Sequence, residues 1–114
     1  MLIILLTTTM LFAGEVAPLP DGIYQFLYKD AEFPHQPGLP LKVTILGTHI
    51  RVVNEKTSNF LPIGLIHEGE LRLHVLSSQW IIMTSDADLL AKEVGGCSDG
   101  PTVLDLENKI YWSC

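Results

Sequence analysis

The chain has 114 residues, 47% of them hydrophobic, two cysteines and a formal net charge of −6. That length holds one domain around one core. The acidic balance excludes a nucleic-acid binder, which needs clustered Lys and Arg to displace phosphate counterions, and it argues against docking on anionic lipid. It suits a basic partner, although acidity also serves solubility alone.

Met1 to Gly14 form one uncharged, mostly apolar run. A helix needs about 20 apolar residues to span a bilayer, so the run has the length of a signal-peptide core instead. Residues 1–13 are therefore expected to be a cleaved leader. Leu11 and Ala13 would stand at the two recognised positions, although no Lys or Arg precedes Glu15. The alternative is a buried N-terminal strand, but the run shows no alternation and no turn residue. The leader implies export to a periplasmic or extracellular location, with no stable membrane insertion after its removal. Residues 14–22 read as an extended segment ending in a turn at Asp21-Gly22, and residues 23–114 as a single β-rich domain.

Ile23 to Lys29 alternate around Tyr24, Phe26 and Tyr28, a strand with a bulky face. Glu32 to Pro40 hold three prolines and read as a stiff loop, since proline cannot pair in a central strand. Leu41–Leu46 and His49–Asn54 form a hairpin on Gly47-Thr48, with the glycine first as a type II′ turn requires. That register sets Ile45 against Ile50 and Val43 against Val52 on one face. The other face carries Lys42, Thr44, His49 and Arg51.

Leu61, Ile63 and Leu65 alternate, as do Leu71, Leu73 and Val75. A three-residue loop, His67-Glu68-Gly69, pairs the two runs in one coherent apolar register and puts Gly69 in the left-handed position of a bulged turn. Ser77-Ser78 then turns the chain into Gln79–Thr84, with Val75 facing Trp80 and Leu73 facing Ile82. Ser85 reads as a helix N-cap with Asp88 completing a capping box. Ala87, Leu90, Ala91 and Val94 form a helical stripe, and Gly95-Gly96 ends it. Ser98 to Pro101 is a turn. The last two strands flank Glu107-Asn108-Lys109, pairing Leu104 with Trp112 and Leu106 with Ile110.

The fold expected is mainly β: an antiparallel meander of about eight strands closing into a small barrel or sandwich, with one short helix before the last two strands. Closure removes exposed edges.

Cys97 follows a helix C-terminus, whose negative dipole end opposes thiolate formation, so it is a poor nucleophile. Cys97 and Cys114 are expected to form a disulfide closing a loop of about 16 residues, worth about 3 kcal/mol in the chain-entropy account. His35, His49, His67 and His74 lack metal-ligand spacing, and no metal or cofactor is expected. Asp86 and Asp88 resemble a calcium-loop fragment but lack its later oxygen ligands and glycine, so capping explains them better. The outer face of strands four to six sets Arg72 and His74 among Ile66, Ile81 and Met83. A docked helix would cover this patch. A helix capping the barrel end would leave it exposed as a partner site.

The function expected is an exported binding module without catalysis: it would bind a protein or cell-envelope component through His35 in the proline-rich loop and the Arg72/His74 face. Hydrolase inhibition is one subclass, because a rigid disulfide-tied domain binds at low ordering cost. The alternatives are a small hydrolase or small-ligand barrel, which would need an open cavity lined by Tyr24, Phe26 and Tyr28, and a subunit of an envelope assembly.

Overall fold

A computed structural model describes residues 19–114. The expected leader, 1–13, and residues 14–18 of the extended segment lie outside the described residues. Seven strands follow in order: β1 (Gly22–Asp30), β2 (Leu39–Leu46), β3 (His49–Asn54), β4 (Gly64–His74), β5 (Gln79–Met83), β6 (Val103–Asp105) and β7 (Ile110–Ser113). Each pairs antiparallel with the next, and β1 pairs with β7 to close a barrel. An odd meander leaves its first and last strands pointing the same way, so the closing pair must be parallel. It is, with Leu27 opposite Ile110 and Tyr28 opposite Tyr111.

Alternation along each strand fills the barrel. Phe26, Leu41, Val43, Ile45, Ile50, Val52, Leu71, Ile82 and Leu104 are all buried in one core cluster. A barrel of this size has an interior just wide enough for side chains. Tyr28 and Tyr111 stack with centroids 5.7 Å apart, so the aromatic face of β1 is packing material. The β2–β3 hairpin has the expected register, Ile45 opposite Ile50 and Val43 opposite Val52. Gly47 has φ +64°, the left-handed conformation that its turn requires.

Two hairpins differ from expectation. The runs at 61–65 and 71–75 are not joined by a loop: β4 is one continuous 11-residue strand, so the barrel has seven strands rather than eight. Its first part pairs with β3 and its second with β5. The register slips by one between Val52 and Val53, which leaves Ile66 as the extra residue of a bulge in β4. Gly69 lies in the strand, opposite Ile50. A Cβ there would stand 2.5 Å from the Met83 carbonyl oxygen and 2.9 Å from Ile82 Cγ2. The glycine marks a close backbone approach rather than a turn. In consequence Leu73 opposes Trp80, Leu71 opposes Ile82, and Val75 falls in the β4–β5 turn.

The β6–β7 turn is also one residue off. Asp105 accepts hydrogen bonds from the Asn108 backbone and side-chain nitrogens, both at 2.9 Å. This stabilises a four-residue turn over 106–109, and Leu104 therefore opposes Tyr111 rather than Trp112. Between β5 and β6 the expected helix shrinks to a 3-10 turn, Asp86–Leu90. Ser85 and Asp88 do cap it: Asp88 Oδ2 accepts the Thr84 and Ser85 amides at 2.8 and 3.3 Å. Gly95 and Gly96 both have positive φ, as a chain stop requires.

Candidate binding surface at the open end of the barrel

In a meander, alternate connections fall at the same end. The β1–β2 loop (31–38), the β3–β4 loop (55–63), the β5–β6 connection (84–102) and Cys114 therefore share one end, the open end. The other end carries Leu19 and the three short turns.

Each open-end loop is fixed by its own sequence. In the first, two successive turns close with the Phe33 amide donating to Asp30 O at 3.0 Å and the Gln36 amide to Phe33 O at 3.1 Å. Pro34 and Pro37 stiffen it. The second loop hangs on Asn54, which is buried. Its Nδ2 donates to the carbonyls of Lys56, Leu61 and Pro62. Three carbonyls converge on one amide nitrogen, which satisfies the buried side chain and shapes the loop. The third connection is pinned at two points. His74 Nε2 donates to Ala91 O at 2.8 Å, while His74 Nδ1 accepts from Ser77. Further on, Cys97 is bridged to Cys114, with the two Cα atoms 4.9 Å apart.

These fixed loops and the start of β4 expose apolar side chains. Phe60 and Leu90 are each 80% exposed, and Phe33, Ile63 and Leu65 are more than half exposed. A cleft of about 270 Å³ opens between the first two loops, lined by Tyr28, Gln36, Pro37, Leu39 and Phe60.

Charge is concentrated here as well. From the last residue of β1 through the three connections lie Asp30, Glu32, Glu55, Asp86, Asp88, Glu93 and Asp99, against only Lys56 and Lys92. With Lys29, which lines the same cleft as Asp30, seven carboxylates against three lysines place four of the chain's six net negative charges at this end. The rest of the molecule carries the other two.

Inside the open end, His67 Nδ1 and Tyr111 Oη share a hydrogen bond at 2.8 Å. Burial pushes the His67 imidazole below its ordinary value of 6.5, outweighing the opposite pull of the Asp88 carboxylate. Burial likewise raises the Tyr111 phenol, which a Thr102 hydrogen bond partly opposes and the Tyr28 charge reinforces. A polar cleft of about 240 Å³ beside His67 is lined by Thr84, Asp88, Asp99 and Thr102.

The six residues read from sequence as a binding set do not form one surface. His74 and Ile81 are both 0% exposed. The β5–β6 connection reaches His74 through Ala91 O, so of the two arrangements the sequence left open the Arg72/His74 face adopts the covered one. Ile66 packs against the barrel core, and Met83 is half-buried. Arg72 is exposed on the barrel wall, and only His35, exposed in the first loop, belongs to the open end. Phe33, Phe60 and Leu90 escaped sequence reasoning because their grouping depends on which loops share an end.

A groove of about 530 Å³ lies by the other end and is lined by Leu19, Trp80, Leu104, Leu106 and Trp112 among others. Its walls do not include Tyr24, Phe26 or Tyr28, which would favour a small ligand if they lined one cavity: Tyr24 lines a separate groove of about 390 Å³ with Ile23 and Pro40, Tyr28 lines the cleft between the first two loops, and Phe26 is buried.

Fold and surface together define a small, filled, disulfide-tied β-barrel that exposes apolar side chains at both ends, Val75, Leu76 and Leu46 at the other, and concentrates its acidic excess at the open one. No family model matches the chain, and no curated protein or solved structure shows significant similarity to it.

Proposed function

We propose that this protein is an exported, non-enzymatic binding module that docks a basic protein partner on its open end. The observation that carries the reading is the coincidence of exposed aromatic and aliphatic side chains with four of six net negative charges on three well-anchored loops. Apolar anchors set in complementary charge favour association: the apolar groups supply affinity, and the carboxylates supply steering and selection of partner. Anchored loops lose little freedom on binding, which lowers the ordering cost. A face of this kind would serve a hydrolase inhibitor or an envelope adaptor alike. Export is supported by the apolar run at 1–14 and by the Cys97–Cys114 bridge, which persists in oxidising compartments.

The test is affinity capture from the cell-envelope fraction with three baits: the wild type, F60S/L90S at the open end and V75S/L76S at the opposite end. A basic protein held by the wild type and by V75S/L76S, lost with F60S/L90S and released by salt, supports the reading. Capture that survives F60S/L90S but is lost with V75S/L76S overturns it.

A further inference from the structure

The Cys97–Cys114 bridge clasps the β5–β6 connection to the end of β7, and the β1–β2 loop reaches the same point. Glu32 Oε1 lies 3.4 Å from Cys97 Sγ and 3.6 Å from Cys114 Sγ. All three residues are exposed. Both sulfurs belong to the bridge and carry no proton, so the contact is not a hydrogen bond. Among the described residues the carboxylates with a cationic or imidazole partner are Glu55, beside Lys42, and Glu68 and Glu70, beside His49, so Glu32 faces the sulfurs with its charge uncompensated.

We propose that Glu32 is an electrostatic guard on this exposed disulfide, slowing its reduction by anionic thiols. In exchange, an incoming thiolate attacks one cysteine sulfur. The new S–S bond forms as the Cys97–Cys114 bond breaks, and the electron pair departs on the other cysteine as a thiolate. A second thiol resolves the mixed disulfide. In sum, two small thiols are oxidised to their disulfide, and the two cysteines are reduced and take up the two protons. Attack at Cys97 expels Cys114, and attack at Cys114 expels Cys97. On either route the leaving thiolate forms within 3.6 Å of the Glu32 carboxylate oxygen. An anionic attacker meets the same charge on approach. Both effects raise the barrier, because like charges repel most strongly at contact distance. The guard keeps the third open-end loop clasped to β7, and it holds whether or not that end binds a partner.

The experiment measures reduction rates of the folded chain at fixed pH and low ionic strength. It uses two small thiols of opposite charge, mercaptoethanesulfonate and cysteamine. Glu32→Gln should speed reduction by the anionic thiol about fivefold, the size expected for one charge at this distance with water-like screening. The gain should shrink in 1 M salt. It should be clearly smaller with cysteamine, whose ammonium loses an attraction in the same variant. Glu32→Lys should speed the anionic reaction further. Glu107→Gln, which changes net charge equally at the other end, should change the rate less than about twofold, since its charge is remote and screened. Equal acceleration with both thiols that persists in 1 M salt would mean that Glu32 merely packs over the bridge. No acceleration, or an equal effect of Glu107→Gln, would also overturn the proposal.

Discussion

His67 on β4 and Tyr111 on β7 hydrogen-bond at 2.8 Å although β5 and β6 separate their strands in the sheet. The contact therefore crosses the barrel interior, and it brings an ionisable pair into the core beneath the open end. Burial holds His67 below 6.5, so between its folded value and 6.5 the unfolded chain binds more protons than the folded one. The sign follows: stability rises with pH across that window and is lost as pH falls from 6.5 toward the folded value.

Thermal unfolding should follow that sign. The wild-type melting temperature should fall as pH drops from 7 through the region below 6.5. His67→Gln should flatten this leg of the profile, because the buried imidazole is gone. Tyr111, raised above 10, gives the opposite limb: stability should decline above pH 10, and Tyr111→Phe should remove that decline. Equal slopes in the wild type and in His67→Gln would contradict the assignment.

Gly69 offers a steric test. With Met83 O 2.5 Å from a modest Cβ, even Gly69→Ala should cost about 1–3 kcal/mol, the range for overpacking, and Gly69→Val more. Denaturant unfolding measures both. A silent Gly69→Ala would mean that β4 is not continuous there. Glu68→Ala should cost under about 1 kcal/mol, since its partner His49 is a surface contact.

His74 anchors the β5–β6 connection from beneath. Removing its ring leaves the Ala91 carbonyl without its donor, and His74→Leu should cost about 1–3 kcal/mol. Proteolysis should then cut first within 84–102. Arg72→Ala, an exposed change on the same strand, should stay within about 0.5 kcal/mol of the wild type. Equal effects of the two substitutions would place His74 at the surface.

The bridge gives a fourth expectation. Cys97→Ser should lower stability by about 3 kcal/mol, the chain-entropy value for a loop of this length. Alkylation of the native protein should label neither cysteine without reductant.

Much of the fold was legible because its signals are local. Gly47 carries the turn chemistry of the β2–β3 hairpin, Ser85 and Asp88 carry a cap, and alternating apolar residues mark the β class and the tendency to close. The misreadings share one cause. Gly69 and His67 resemble turn residues in one dimension, and only the neighbouring β5 backbone shows that Gly69 is a close approach. Asp105 shifted the last hairpin through a side-chain bond to Asn108 that strand pairing alone does not reveal. The helical stripe failed because His74 draws Ala91 down onto the barrel wall, so the chain leaves helical conformation after one 3-10 turn. The open end was the least legible feature. Counting eight strands instead of seven assigns the later loops to the wrong ends, and net charge read over the whole chain hides its concentration on one.

The most direct test of that surface is an amide-resolved NMR titration of the folded protein with an amphipathic Lys/Leu peptide, a soluble probe of the proposed partner chemistry. Shift changes should concentrate in 31–38, 55–63 and 84–102, reverse on adding salt, and spare the turns at 47–48, 75–78 and 106–109. Changes centred on those opposite-end turns, or spread evenly over the barrel, would contradict the account.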